Sequence, residues 1–145
     1  FRERDFALFH PGGQLGKRLL LRVKDLMRTG RANPVVRGTT SVKNVLLAIT
    51  RARAGSAAVV DHRGRLIGIF TDGDLRRHLD VTPDLPRLPV KRVMTRRPKT
   101  LAADRLAVEA LRLLREYRID ELVVVDGARR PVGLLDVQDL LKAGF

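Results

Sequence analysis

The chain contains no cysteine and no tryptophan among its 145 residues, and only one tyrosine and five phenylalanines. Without thiols there is no disulfide framework, no thiolate nucleophile and no cysteine-built metal site. A reducing, cytoplasmic setting is the matching expectation. With so few aromatic rings there is little on which nucleic-acid bases could stack. Long apolar runs are also missing: nothing approaches the roughly 18 apolar residues of a membrane span, and Leu19-Leu20-Leu21 is stopped at once by Arg22. No secretory signal is visible, and no membrane partner is expected. Acidic residues are the minority, 16 against 29 basic, for a formal net charge of +13. Such a charge invites a phosphate-backbone reading, because clustered Lys and Arg release counterions from a polyanion. Here the basic residues are scattered from Arg2 to Lys142 without a long block. The reading is a mostly solvated basic surface, a few arginines serving a small phosphorylated ligand, and no nucleic-acid partner.

What the chain does have is a repeat. Asp61, Gly68, Asp74 and Leu75 return as Asp126, Gly133, Asp139 and Leu140, each displaced by 65, within two runs of the same character. The openings repeat as well: Val23-Lys24-Asp25-Leu26-Met27 against Val90-Lys91-Arg92-Val93-Met94, displaced by 67. Two halves this small are uncomfortable alone, so each is expected to bury its apolar face against the other, with function at their junction.

Each half carries the same signals in order. A short helical opening (23–27, 90–94) leads through a loop and a Pro to a short extended stretch. An amphipathic helix follows. In the first half Val42, Val45, Leu46 and Ile49 share one face, with Thr40 or Ser41 to cap it. In the second, Ala107, Ala110, Leu111 and Leu114 repeat the spacing, with Asp104 as the expected cap. Two β-branched strands joined by a turn come next, and a last helix (73–79, 137–143) closes each half. The expected fold is α/β (α+β), two β-α-β-β-α repeats packed as a pseudo-twofold pair. Residues 1–22 stand outside the repeat, with 23–79 as the first unit, 80–89 as a proline-bearing linker and 90–143 as the second unit. His10-Pro11-Gly12-Gly13-Gln14-Leu15-Gly16 is expected to be a loop. The chain opens at Phe1 in mid-pattern, as expected of a piece of something longer.

The sharpest site candidate is Gly68-Ile69-Phe70-Thr71-Asp72-Gly73-Asp74-Leu75. A strand ends in a turn that opens a helix, so N–H groups and the positive end of the helix dipole face outward. Asp74, three residues past Thr71, could accept bonds from both vicinal hydroxyls of a ribose, while the Thr71 hydroxyl meets sugar or phosphate. Arg76 or Arg77 could reach a phosphate. The same residue types also suit a plain helix cap for Thr71 and Asp74. His10, His62 and His78 are dispersed and make no metal pattern, and no metal or resident cofactor is expected.

The G-x-x-[ST]-x-x-D-L pattern and the order of elements resemble a cystathionine-β-synthase (CBS) domain, present twice as a Bateman-type pair. In that family the Thr/Ser and Asp of the pattern contact the ribose or phosphate of a nucleotide, which implies ligand contacts for Thr71 and Asp74 and for Asp139 in the second unit. Asp136 replaces the Thr/Ser there, and a carboxylate repels phosphate. The His10-Pro11-Gly12-Gly13-x-Leu15-Gly16 run, Val23 to Met27, the segment Gly64 to Arg77, and Asp139-Leu140-Leu141-x-Ala143-Gly144 together resemble the D-arabinose 5-phosphate isomerase family. That family joins a sugar-isomerase (SIS) domain to a CBS pair and interconverts ribulose 5-phosphate and arabinose 5-phosphate for Kdo and lipopolysaccharide synthesis. The resemblance implies that His10 is catalytic only within the full-length enzyme, where it closes the SIS site. It implies CMP-Kdo or AMP/ATP as candidate regulatory ligand, the upstream SIS domain as a partner, and a homo-oligomer with dimers of CBS pairs in a tetrameric parent. The alternatives are a stand-alone adenine-nucleotide sensor or a purely structural oligomerisation module.

Overall fold

The computed structural model describes residues 13–145. Helix α1 (Gly13–Leu20) precedes the repeat. The first repeat supplies helix α2 (Val23–Leu26), strand β1 (Val35–Arg37), helix α3 (Val42–Ala52), strands β2 (Ser56–Val60) and β3 (Leu66–Thr71), and helix α4 (Asp72–Leu79). The second opens with a 3-10 turn (Val90–Arg92) in place of α2. Strands β4 (Thr95–Arg96) and β5 (Thr100–Ala102), helix α5 (Ala107–Tyr117), strands β6 (Glu121–Val125) and β7 (Pro131–Asp136), and helix α6 (Val137–Lys142) follow. The β-α-β-β-α order is thus present twice, in an α/β fold of two small sheets. His10 lies outside the described residues. Where description begins, the stretch expected to be loop is helix: α1 runs from Gly13, lies against α5, and is tied down where the Arg18 guanidinium donates to the Gly144 carbonyl. Tertiary contacts override the low helix propensity of Gly13 and Gly16.

In each unit a parallel pair (β1 with β2, β5 with β6) is extended by an antiparallel hairpin (β2 with β3, β6 with β7). The repeated aspartates close the hairpin turns. Asp61 Oδ1 accepts the N–H groups of Arg63 and Arg65 at 2.8 and 3.0 Å, and Asp126 Oδ1 those of Ala128 and Arg130, both at 2.9 Å. These bonds favour the ionised form and hold both carboxyls below the ordinary aspartate value. Ser41 caps α3, its hydroxyl accepting from the Asn44 N–H at 3.2 Å. Asp104 does not cap α5. That helix starts later, at Ala107, and Glu109 from its first turn accepts the Leu106 N–H at 3.0 Å.

The openings are exchanged between units. Val23 is fully buried in the core formed by Leu101, Ala107, Ala110, Leu114, Leu122, Leu135 and Leu140 of the second repeat. Its N–H reaches the Arg105 carbonyl at 2.8 Å. Reciprocally, Val90 and Val93 complete the first unit's core of Val42, Val45, Ile49, Val59 and Phe70, and β4 pairs with β3. Arg28, one step beyond the first opening, pairs with Leu134 on β7. The repeated Met and Gly belong together for the same reason. An added Cβ at Gly133 would lie 2.5 Å from the Met27 sulfur, and one at Gly68 would collide with Met94 likewise. The 80–89 stretch is no loose tether, since Leu85 is buried in the first core and the Leu88 carbonyl accepts the Val42 N–H at 2.9 Å. Between the sheets, Ala58, Leu66 and Ile69 meet Val123 in a shared apolar seam.

Candidate functional site

Side-chain alternation places the site. Ala57 and Val59 face the helices of the first unit, while Ala58 faces the other unit. Ser56 therefore points, with Ala58, into the junction between units. It pairs across the hairpin with Thr71. On its other side the parallel register of Val35 with Ala58 sets Asn33 beside Ser56. Asn33, Ser56 and Thr71 form one row across the first sheet. The second sheet repeats the row as Pro98, Glu121 and Asp136. Both rows end at the first turn of a closing helix, and both meet at the junction.

In the first unit Thr71 caps α4. Its hydroxyl oxygen accepts the Asp74 N–H at 3.2 Å, and Asp74 Oδ2 accepts the Thr71 N–H at 2.9 Å and the Thr71 hydroxyl at 3.1 Å. Asp74 Oδ1 takes the Thr95 hydroxyl at 2.7 Å and the Arg77 guanidinium. Asp74 is 2% exposed, and every bond it makes is internal. Its Arg77 partner is not fixed in the same way, with a side chain 64% exposed. Arg76 is exposed on α4. The helix-cap alternative is thus what the Thr71 and Asp74 side chains make here, on the same atoms that the ligand-binding expectation names. Two atoms of the row lack a role. Ser56 Oγ and Asn33 Oδ1 are buried without a hydrogen-bond partner among the described residues.

The second unit is built on charge instead. Asp136 caps α6, accepting the Asp139 N–H at 2.9 Å, and Asp139 accepts the Asp136 N–H at 3.0 Å. Arg28 lies across both carboxylates. Its Nε donates to Asp139 at 3.3 Å, its Nη2 stands 3.1 Å from Asp136 Oδ2, and its Nη1 donates to the Arg53 carbonyl at 2.9 Å. Burial raises the Asp139 carboxyl above its ordinary value and the Asp136 charge adds to this, while the Asp136 N–H and Arg28 pull the other way. Glu121 takes the place of Ser56, its Oε1 2.9 Å from where a Cβ on Gly55 would stand. Burial, and then the charges of Asp120, Asp136, Asp72 and Asp74, push it up to about 7.

Of the expected ligand residues, Thr71, Asp74 and Arg77 are brought together, Arg76 stands apart in solvent, and Asp139 is engaged by Arg28. His62 is exposed in its turn, and His78 Nδ1 bonds the Thr82 hydroxyl at 2.8 Å. Asn33, Ser56, Thr95, Glu121 and Arg28 were not singled out from the sequence. For Arg28 and Thr95 a signal existed: they occupy equivalent positions one step beyond the repeated openings. Among the described residues no group of three or more His, Cys, Asp or Glu is arranged to hold a metal, and no helix is long and apolar enough to cross a membrane.

The profile of the CBS domain family matches residues 23–81 and again 90–145. The chain belongs to the CBS domain family. It is 49% identical over 144 residues to the arabinose 5-phosphate isomerase KdsD of Pseudomonas aeruginosa, covering 99% of this chain and 44% of that protein. To KdsD of Escherichia coli K12 it is 44% identical, with the same coverage. The chain thus spans less than half the length of these curated relatives. Among solved structures, the CBS domain pair of protein MJ0100, in complex with 5'-methylthioadenosine and S-adenosyl-L-methionine, superposes with a TM-score of 0.76 at 23% identity, over 85% of this chain and 94% of that one. CBSX2 in complex with AMP gives 0.71 at 26% identity, over 85% and 95%. The first of these likenesses shows the fold alone.

Proposed function

We propose that this CBS pair is the regulatory, nucleotide- or nucleotide-sugar-binding part of an arabinose 5-phosphate isomerase, the ligand seating in the first half-site at the junction of the units. The observation that carries this reading is the pair of buried, partnerless atoms, Ser56 Oγ and Asn33 Oδ1, on the row that ends at Thr71. Buried polar groups are nearly always paired, and N–H or O–H groups of a bound nucleoside would pair these. Ribose recognition follows from Asp74. When the exposed Arg77 swings outward, its place at the carboxylate opens to vicinal hydroxyls, and its guanidinium turns to a phosphate. The Thr71 hydroxyl serves sugar or phosphate. CMP-Kdo, the activated end product of the pathway served by the relatives' enzyme, offers both ribose and phosphate as a feedback signal. AMP or ATP is the alternative, favoured by the AMP-bound CBSX2 relative.

The remaining parts of the reading rest on the resemblance of the sequence motifs to the arabinose 5-phosphate isomerase family. The parent is an aldose–ketose isomerase of the cytoplasm. It carries an SIS domain upstream and assembles as a tetramer through dimers of CBS pairs. His10 takes part in catalysis only in that whole enzyme. Calorimetric titration of CMP-Kdo, CMP, AMP and ATP into the wild type and into Asp74→Ala tests the site. Loss of a charge-assisted hydrogen bond costs roughly 1.5–3 kcal/mol, so the variant should bind about 10- to 100-fold more weakly. Failure of all four ligands with the wild type, or unchanged binding by Asp74→Ala, removes the reading and leaves a structural module.

A further inference from the structure

The two half-sites differ in what stands at the position after the exchanged opening. In the first unit it is Thr95, whose hydroxyl reaches Asp74 and stops there. In the second it is Arg28, whose side chain crosses Asp136 and Asp139 and ends on the Arg53 carbonyl, in the residue that follows α3 of the other unit. All three guanidinium nitrogens are used, and the side chain is only 19% exposed, against 64% for Arg77 over Asp74. The Arg53 carbonyl adds the negative end of the α3 dipole to the two carboxylates. The surroundings of Arg28 are thus those of a cation held in place, where an arriving phosphate would face two carboxylates balanced by a single guanidinium.

We propose that Arg28 is the built-in occupant of the second half-site, so that the pair takes one nucleotide, at Thr71 and Asp74, rather than two. The number of sites rests on the nucleotide reading given above; the occupancy by Arg28 does not. An arginine that fits two carboxylates and a carbonyl at once is a planar fork matched to its cradle, and it reaches them from a segment that already completes the second unit's core. It closes the second half-site with the chain's own chemistry. The first half-site stays available because its covering arginine comes from an exposed helix face.

Two measurements decide this. Calorimetry with AMP counts sites: one per chain is expected in the wild type, and two in Arg28→Thr/Asp136→Thr, which copies Thr95 and Thr71 into the second half-site. Two sites in the wild type overturns the proposal. So does a folded double variant that binds one AMP as the wild type does. The wild-type count suffices should the double variant fail to fold. The other measurement uses no nucleotide. Methylguanidinium should raise the melting temperature of Arg28→Ala by several degrees, leave the wild type unmoved, and outperform methylammonium, which carries the charge without the fork. Equal effects on variant and wild type overturn the occupancy. If the wild type binds none of AMP, ATP, CMP and CMP-Kdo, the nucleotide reading fails, and the methylguanidinium comparison still decides the role of Arg28.

Discussion

Replacing Glu121 by Gln should stabilise the protein at alkaline pH, and the size of the effect follows from where the carboxylate sits. Glu121 begins β6 at the junction, against Gly55 of the other unit, with Asp72, Asp74, Asp120 and Asp136 contributing negative charge around it. Its ordinary value of 4.5 rises to about 7. At about 1.4 kcal/mol for each factor of ten, this rise caps the cost of ionising it in the fold at about 3 kcal/mol. The residue keeps partial contact with solvent, and screening there reduces the figure to about 1–2 kcal/mol. The sign follows from proton counting. Between about pH 4.5 and 7 the native state holds a proton that the unfolded chain has lost, so stability falls as pH rises through that window, and the full cost is felt above it. The amide that replaces the carboxyl in Glu121→Gln cannot ionise. Urea denaturation should find Glu121→Gln more stable than wild type by about 1–2 kcal/mol at pH 8, with the difference shrinking toward zero at pH 4.5. A variant equal to or weaker than wild type at pH 8, or a difference that does not change with pH, would refute the placement of Glu121 among these carboxylates.

Gly68→Ala should destabilise by about 1–3 kcal/mol, the cost of overpacking a filled core, because its Cβ meets the Met94 side chain; thermal denaturation reads this, and an unchanged melting temperature would contradict the exchanged packing. Despite the charge of +13, binding to DNA or RNA should be weak, without sequence preference and steeply salt-dependent, and a submicromolar complex at about 150 mM salt in fluorescence anisotropy would oppose this. The 145-residue chain alone should not isomerise arabinose 5-phosphate, since His10 is the only catalytic candidate it carries; turnover above background by the purified chain would overturn the assignment of catalysis to an upstream domain.

Much of the fold was legible because its signals are local. The spacing of Val42, Val45 and Ile49 marked α3, the repeated aspartates marked the hairpin turns, and Thr71 with Asp74 marked the start of α4. The exchange of openings was not legible. Val23 and Val90 look alike in sequence, and nothing local says that each completes the other unit's core. The site was half legible for the same reason. Thr71 and Asp74 stand in one turn, whereas Thr95 reaches Asp74 from 21 residues away and Arg28 reaches Asp139 from 111. One arginine among 29 basic residues carries no mark of burial until the chain is folded. Asp104 has the side-chain type of a cap but does not serve as one, because the helix starts at Ala107, which is buried in the core, and Glu109 reaches back to the Leu106 N–H.

The most direct test of the central claim is residue-resolved NMR of the 15N-labelled chain during titration with AMP and with CMP-Kdo. The account predicts the largest shifts at the Thr71, Gly73 and Asp74 amides and at the Asn33 side-chain amide, with little change at Asp136 to Asp139. Shifts centred instead on the open cleft between the hairpin turns, lined by Arg65, Asp126, Gly127 and Arg129, or no shift with either nucleotide, would contradict a nucleotide site at the first half of the junction.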